Sequence, residues 1–109
     1  MTQKTSFDGV RWTCRVDFTN PHSLREVLRF PDNEESTIVL APAAGSTITV
    51  EFSASCTADL DAGTALWAPA EGLGAAGVVS ALMLDTLGST LTAVRLTASA
   101  IGSRVEVAQ

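Results

Sequence analysis

Tyrosine is absent from this 109-residue sequence and phenylalanine occurs four times, too few rings to line a groove for polysaccharide or single-stranded nucleic acid. Charge is sparse as well. Charged residues make up 17% of the chain against 46% hydrophobic ones, which excludes a disordered chain and leaves Thr, Ser, Gly and Ala to finish the surface. A surface of that kind suits partial cover by a partner. The net charge is −5, and Arg11, Arg15, Arg25, Arg29, Arg95 and Arg104 are scattered along the chain. A phosphate backbone is repelled by such a balance, so no nucleic-acid partner is expected.

Cysteine is nearly absent too. Cys14 and Cys56 lie far apart and match no metal-ligand spacing. They read as buried thiols in a reducing compartment, with a disulfide between neighbouring strands as the alternative. No long hydrophobic run is uninterrupted: residues 65–87 are apolar-rich but broken by Pro69, Glu71, Asp85 and several glycines, so no membrane span is expected. The opening Met-Thr-Gln-Lys-Thr-Ser-Phe lacks the apolar core of a secretory signal, and no export is expected.

Catalytic and ligand-binding motifs are equally scarce. The single histidine, His22, follows Pro21 at a turn, with no nucleophile elbow or base-orienting motif to accompany it. HExxH and GxxxxGK are missing. Residues 72–77 spell GxGxxG, but no strand of a βαβ unit leads into them. Asp17, Glu51, Asp59, Asp61, Glu71 and Asp85 offer carboxylate pairs that sequence cannot choose between. Asp32, Asn33, Glu34 and Glu35 stand in a row, without the spacing of a calcium loop. The expectation is a non-enzyme with no catalytic residue, cofactor or metal site.

The positive signal is alternation. Val10, Trp12, Cys14, Val16 and Phe18 share one strand face, with Arg11, Thr13, Arg15 and Asp17 on the other. Asn20-Pro21 ends that strand. Residues 22–30 suit a helix or a strand, and the β-rich neighbours favour a strand running to the break at Pro31. Residues 36–55 read as a hairpin turning at residues 41–45, its second arm placing Ile48, Val50, Phe52 and Ala54 inward and the same face continuing to Cys56. Residues 56–77 read mostly as loop, with a short strand at residues 65–67 and Trp67 as its anchor or, in the alternative, an exposed platform for a pyranose. Residues 78–84 give a further strand, and residues 91–107 a second hairpin. The outcome is an all-β fold: one antiparallel β-sandwich or jelly-roll-like domain of about eight short strands at residues 10–109, preceded by a flexible N-terminal arm at residues 1–9.

The order Thr47-Ile48-Thr49-Val50-Glu51-Phe52-Ser53, then Trp67, Pro69 and Gly72, then Leu91-Thr92-Ala93-Val94-Arg95-Leu96-Thr97 and Val105-Glu106-Val107-Ala108-Gln109 resembles small virion proteins of tailed bacteriophages. Head-decoration (capsid cement) proteins and β-sandwich modules of tail appendages are the types in view. That resemblance implies a homo-oligomer, with a trimer favoured, docking on the major capsid protein lattice after assembly in the host cytoplasm. A receptor- or glycan-binding module of a tail fibre or baseplate is the alternative. Phe7 in the arm and Trp67 and Leu73 in the long loop are the candidate partner contacts.

Overall fold

The computed structural model describes residues 2–7, 12–30 and 34–109. Among the described residues ten strands form: β1 (Thr2–Phe7), β2 (Trp12–Asp17), β3 (Arg25–Arg29), β4 (Ser36–Ala41), β5 (Ile48–Ser53), β6 (Ala68–Pro69), β7 (Val78–Val79), β8 (Met83–Leu87), β9 (Ala93–Ala98) and β10 (Arg104–Ala108), with one short α-helix, α1 (Thr57–Ala62), between β5 and β6. They build two antiparallel sheets. The first has the order β1-β2-β10-β4-β8; the second runs β3-β9-β5-β6, with β7 also pairing with β5.

From β2 to β5 and from β8 to β10, each strand lies in the sheet opposite its predecessor. Pairing joins β2 with β10, β3 with β9, β4 with β8, and β5 with β6 and β7. Strands pair in nested fashion about the centre of the chain, as though one long hairpin had been rolled up, which is jelly-roll topology. The sandwich expected from the turn spacing is therefore present, but by a different route. Neither expected hairpin exists: β4 and β5 lie in different sheets, as do β9 and β10. Alternation reports that a strand has one buried face, and both readings satisfy it; which strand lies alongside is a long-range choice.

The N-terminal segment expected to be an arm contains β1, an edge strand whose register runs from Thr2 opposite Asp17 to Phe7 opposite Trp12. Asp8, Gly9, Val10 and Arg11, and residues 31–33, lie outside the described residues, and with them the end of the expected arm, the start of the first expected strand and part of the acidic row at residues 32–35. The long loop is more ordered than expected. It contains α1, closed by Gly63 in the left-handed conformation, and its short strand is Ala68–Pro69 rather than residues 65–67. The strand expected at residues 78–84 is split into β7 and β8.

Inward faces agree with the alternation except at the end of β5, where Phe52 is only half-buried, Ser53 is buried, and Ala54, expected inward, is exposed because β5 stops at Ser53. In the first sheet, Val16, Val105 and Leu40 form one cross-strand row and Cys14, Val107 and Ile38 the next, all buried. In the second, Leu28 and Val94 lie opposite each other, and Ile48, Val50 and Leu96 complete the layer. Each such side chain contributes about 1.5–3 kcal/mol by leaving water. Trp12 and Phe30 meet across the two sheets edge to face, centroids 6.5 Å apart.

Two crossovers close one end of the sandwich. The Ala43 N–H donates to the Ser103 hydroxyl at 2.9 Å, and the Ser46 hydroxyl donates to the Ala43 carbonyl at 2.8 Å. Thr47 N–H donates to the Ser99 hydroxyl, and Ser99 N–H returns to the Thr47 carbonyl. The β4–β5 and β9–β10 connections are thus bound to each other. Cys56 corrects the sequence reading: it is exposed, whereas Cys14 is buried, and no disulfide joins them. β5 ends at Ser53, so the alternating face never extends to Cys56, which instead precedes α1.

Candidate functional site

On the outer face of the second sheet, strand periodicity places Arg25, Val27 and Arg29 of β3 side by side, since alternate residues share a face. The register sets Val27 opposite Arg95 of β9, and Arg95 opposite Glu51 of β5. Two guanidinium groups of β3 and a third from β9, far away in sequence, therefore surround one valine. Over them folds the connection from β5 to β6. Ser53 and Ala93, paired on this outer face, are both buried; the Thr92 hydroxyl donates to the Ser53 and Ser55 carbonyls, and the Ser55 hydroxyl accepts the Leu66 N–H. A cleft of about 430 Å³ remains between that connection and the sheet, lined by the three arginines, Val27 and Trp67, with Leu60 of α1 along one side. That volume lies within the range of small-ligand sites.

The arginines differ in their engagement. Arg95 is held by Glu51 through two parallel bonds, Nε to Oε1 at 2.9 Å and Nη2 to Oε2 at 2.8 Å, while its guanidinium lies 4.7 Å from the Trp67 ring centroid. The fork geometry is the stronger kind of ion pair, and the stacking adds a cation–π contact. The Arg95 hydrogen bond holds the Glu51 carboxyl below its ordinary value; burial opposes this, and the charges of Arg95 and Arg25 reinforce it. Arg29 pairs with Asp61 of α1, both side chains well exposed at 45% and 63%. Solvent weakens such a pair to at most about 1 kcal/mol. Arg25 has no carboxylate within ion-pairing distance among the described residues.

A second, shallower depression of about 380 Å³ lies beside Asp17 and Arg104. Asp17 accepts from Arg15 Nε and Arg104 Nε, each at 2.9 Å. Burial raises its carboxyl, but the hydrogen bonds and charges of Arg104 and Arg15 outweigh burial and leave it below its ordinary value.

Of the candidate contacts read from sequence, Trp67 lies in the cleft and is half-buried. It packs against the Arg95 guanidinium and lines the open space, and it does not belong to the hydrophobics packed on the core, where the sequence reading places it as an anchor. Leu73 corrects the expectation: at 3% exposure it belongs to the core and offers a partner no surface. Phe7 sits at the end of β1 in register with Trp12, away from the Trp67 cleft in the other sheet. His22 is exposed, its N–H bonded to the Asn20 side chain in a local turn. In the GxGxxG stretch, Gly74 and Gly77 serve close packing: a Cβ on either would come within 2.3 Å of a backbone carbonyl oxygen. The arginine cluster was missed. Spacing of two within residues 25–29 was a usable signal for Arg25 and Arg29, but Arg95 joins them only through the β3–β9 register.

Comparison with protein-family models, with curated proteins and with solved structures found no match.

Proposed function

We propose that this protein is a structural virion subunit that binds and stabilises a bacteriophage capsid, working as a decoration protein. The observation that carries the reading is the apolar surface at the edge of the first sheet. Leu82 and Leu84 are 76% and 67% exposed, and Leu84 stands opposite half-buried Val39 of β4. β8 is the last strand of its sheet, with its outer edge unpaired among the described residues. Exposed leucines beside an open strand edge favour a protein partner, because burying each gains hydrophobic free energy and the edge offers backbone hydrogen bonds. The jelly-roll supports the same reading by supplying a rigid block on which that edge is displayed. A trimer, matched to threefold lattice positions, is the proposed assembly.

The test is to mix the purified protein with undecorated capsids, sediment them, and image the pelleted particles. Density at lattice symmetry axes is expected, with Leu82→Asp/Leu84→Asp weakening it while the fold persists. Capsids that emerge bare would overturn the reading. A second reading, a receptor- or glycan-binding module of a tail appendage, is favoured by the Trp67 cleft; glycan-array binding that disappears in Trp67→Ala would support it.

A further inference from the structure

We infer that the cleft between α1 and the outer face of the second sheet binds a small ring-shaped carboxylate, of the class of acidic monosaccharide residues such as uronates and neuraminates. The inference rests on the glycan-binding reading for the cleft being a site at all, and adds to it the charge of the ligand.

Three observations converge. The cleft carries more positive than negative side chains within a chain of net charge −5: Arg95 is matched by Glu51 and Arg29 by Asp61, while Arg25 is left without an ion-pair partner among the described residues. Both internal partners are carboxylates, and the fork on Glu51 shows that guanidinium groups here are presented for planar, two-oxygen acceptors. Asp61 of α1 already pairs its carboxylate with Arg29 through an exposed contact at the rim of the cleft. The remaining wall is apolar. Val27, Leu60 and the Trp67 indole offer the flat, weakly polar surface against which the C–H face of a sugar ring packs.

Arginines on an edge strand also guard against pairing with other sheets. That role requires charge on the edge but neither a concave wall nor an indole beside it. The ligand envisaged places its carboxylate on Arg25, with Arg29 available when Asp61 swings aside, and its ring on Val27 and Trp67.

The experiment is a titration of the full chain at low salt with the methyl glycosides of glucuronate and N-acetylneuraminate, with methyl glucoside as the neutral control. Binding of at least one acidic sugar with millimolar affinity is expected, the acidic ligand being at least about tenfold tighter than the glucoside. Arg25→Ala should weaken acidic binding by about tenfold or more, and Arg25→Lys should retain part of it. Asp61→Asn should tighten it several-fold by releasing Arg29, an effect that a purely structural Asp61 would not produce. Melting temperatures of all three variants, measured in parallel, separate loss of binding from loss of fold. Equal binding of glucoside and glucuronate would overturn the acidic preference and leave the glycan reading standing. No binding of any sugar at about 10 mM would overturn both.

Discussion

The Ser103 hydroxyl accepts the Ala43 N–H at 2.9 Å, joining two chain crossovers 60 residues apart. Ser103 is buried, and its carbonyl also accepts the Phe18 N–H, so one residue holds the β4–β5 and β9–β10 connections and the end of β2. Replacing it by alanine leaves the Ala43 N–H without this acceptor. Ser103→Ala is expected to cost about 1–3 kcal/mol, read as a lower urea midpoint with unchanged slope.

Gly77 adopts φ +74°, and a Cβ there would lie 2.3 Å from the Val50 carbonyl oxygen, the acceptor of the Ala70 N–H. Gly77→Ala therefore meets both backbone strain and a collision with backbone that cannot rotate away. The left-handed conformation alone costs roughly 1–2 kcal/mol. A loss of stability larger than that is expected in thermal unfolding, whereas Gly45→Ala, with the same sign of φ but open space around it, should show the strain alone.

Glu51 and Asp17 are both held below their ordinary values of 4.5 and 3.8 in the folded state. The unfolded chain therefore binds more protons over that interval. Their contribution to stability is complete above the ordinary values and is lost as pH falls through the depressed folded ones. Urea midpoints measured from about pH 6 downward should fall below about pH 4.5, and Glu51→Gln should show a smaller fall.

Thiol labelling of the native protein should modify Cys56 promptly and Cys14 only once denaturant is added, because one is exposed and the other buried. Two reactive native thiols would show that the β2 register is wrong.

Much of the fold was legible in local pattern. Trp12 to Phe18 and Ile48 to Val50 alternate, and the structure buries the face that the alternation marks. Helix α1 was not legible: its six residues bury none of their side chains, so no apolar period announces it. Of the candidate site, Trp67 was visible as an unusual residue in a loop. The arginines around it looked scattered, since sequence distance says nothing about strands paired across a sheet.

The sequence by itself determined that this chain forms strands with one buried face each, that the strand carrying Cys14 and Val16 ends before Asn20-Pro21, and that its charged residues are few. Those properties follow from side-chain chemistry at a period of two. Only the tertiary structure decided that residues 36–55 and 91–107 cross between sheets instead of folding back as hairpins. Only that choice sets β3 beside β9, bringing Arg25, Arg29 and Arg95 around Val27 and beneath Trp67. Register and sheet membership depend on how both layers close over a shared core, a condition that no single strand carries in its own sequence.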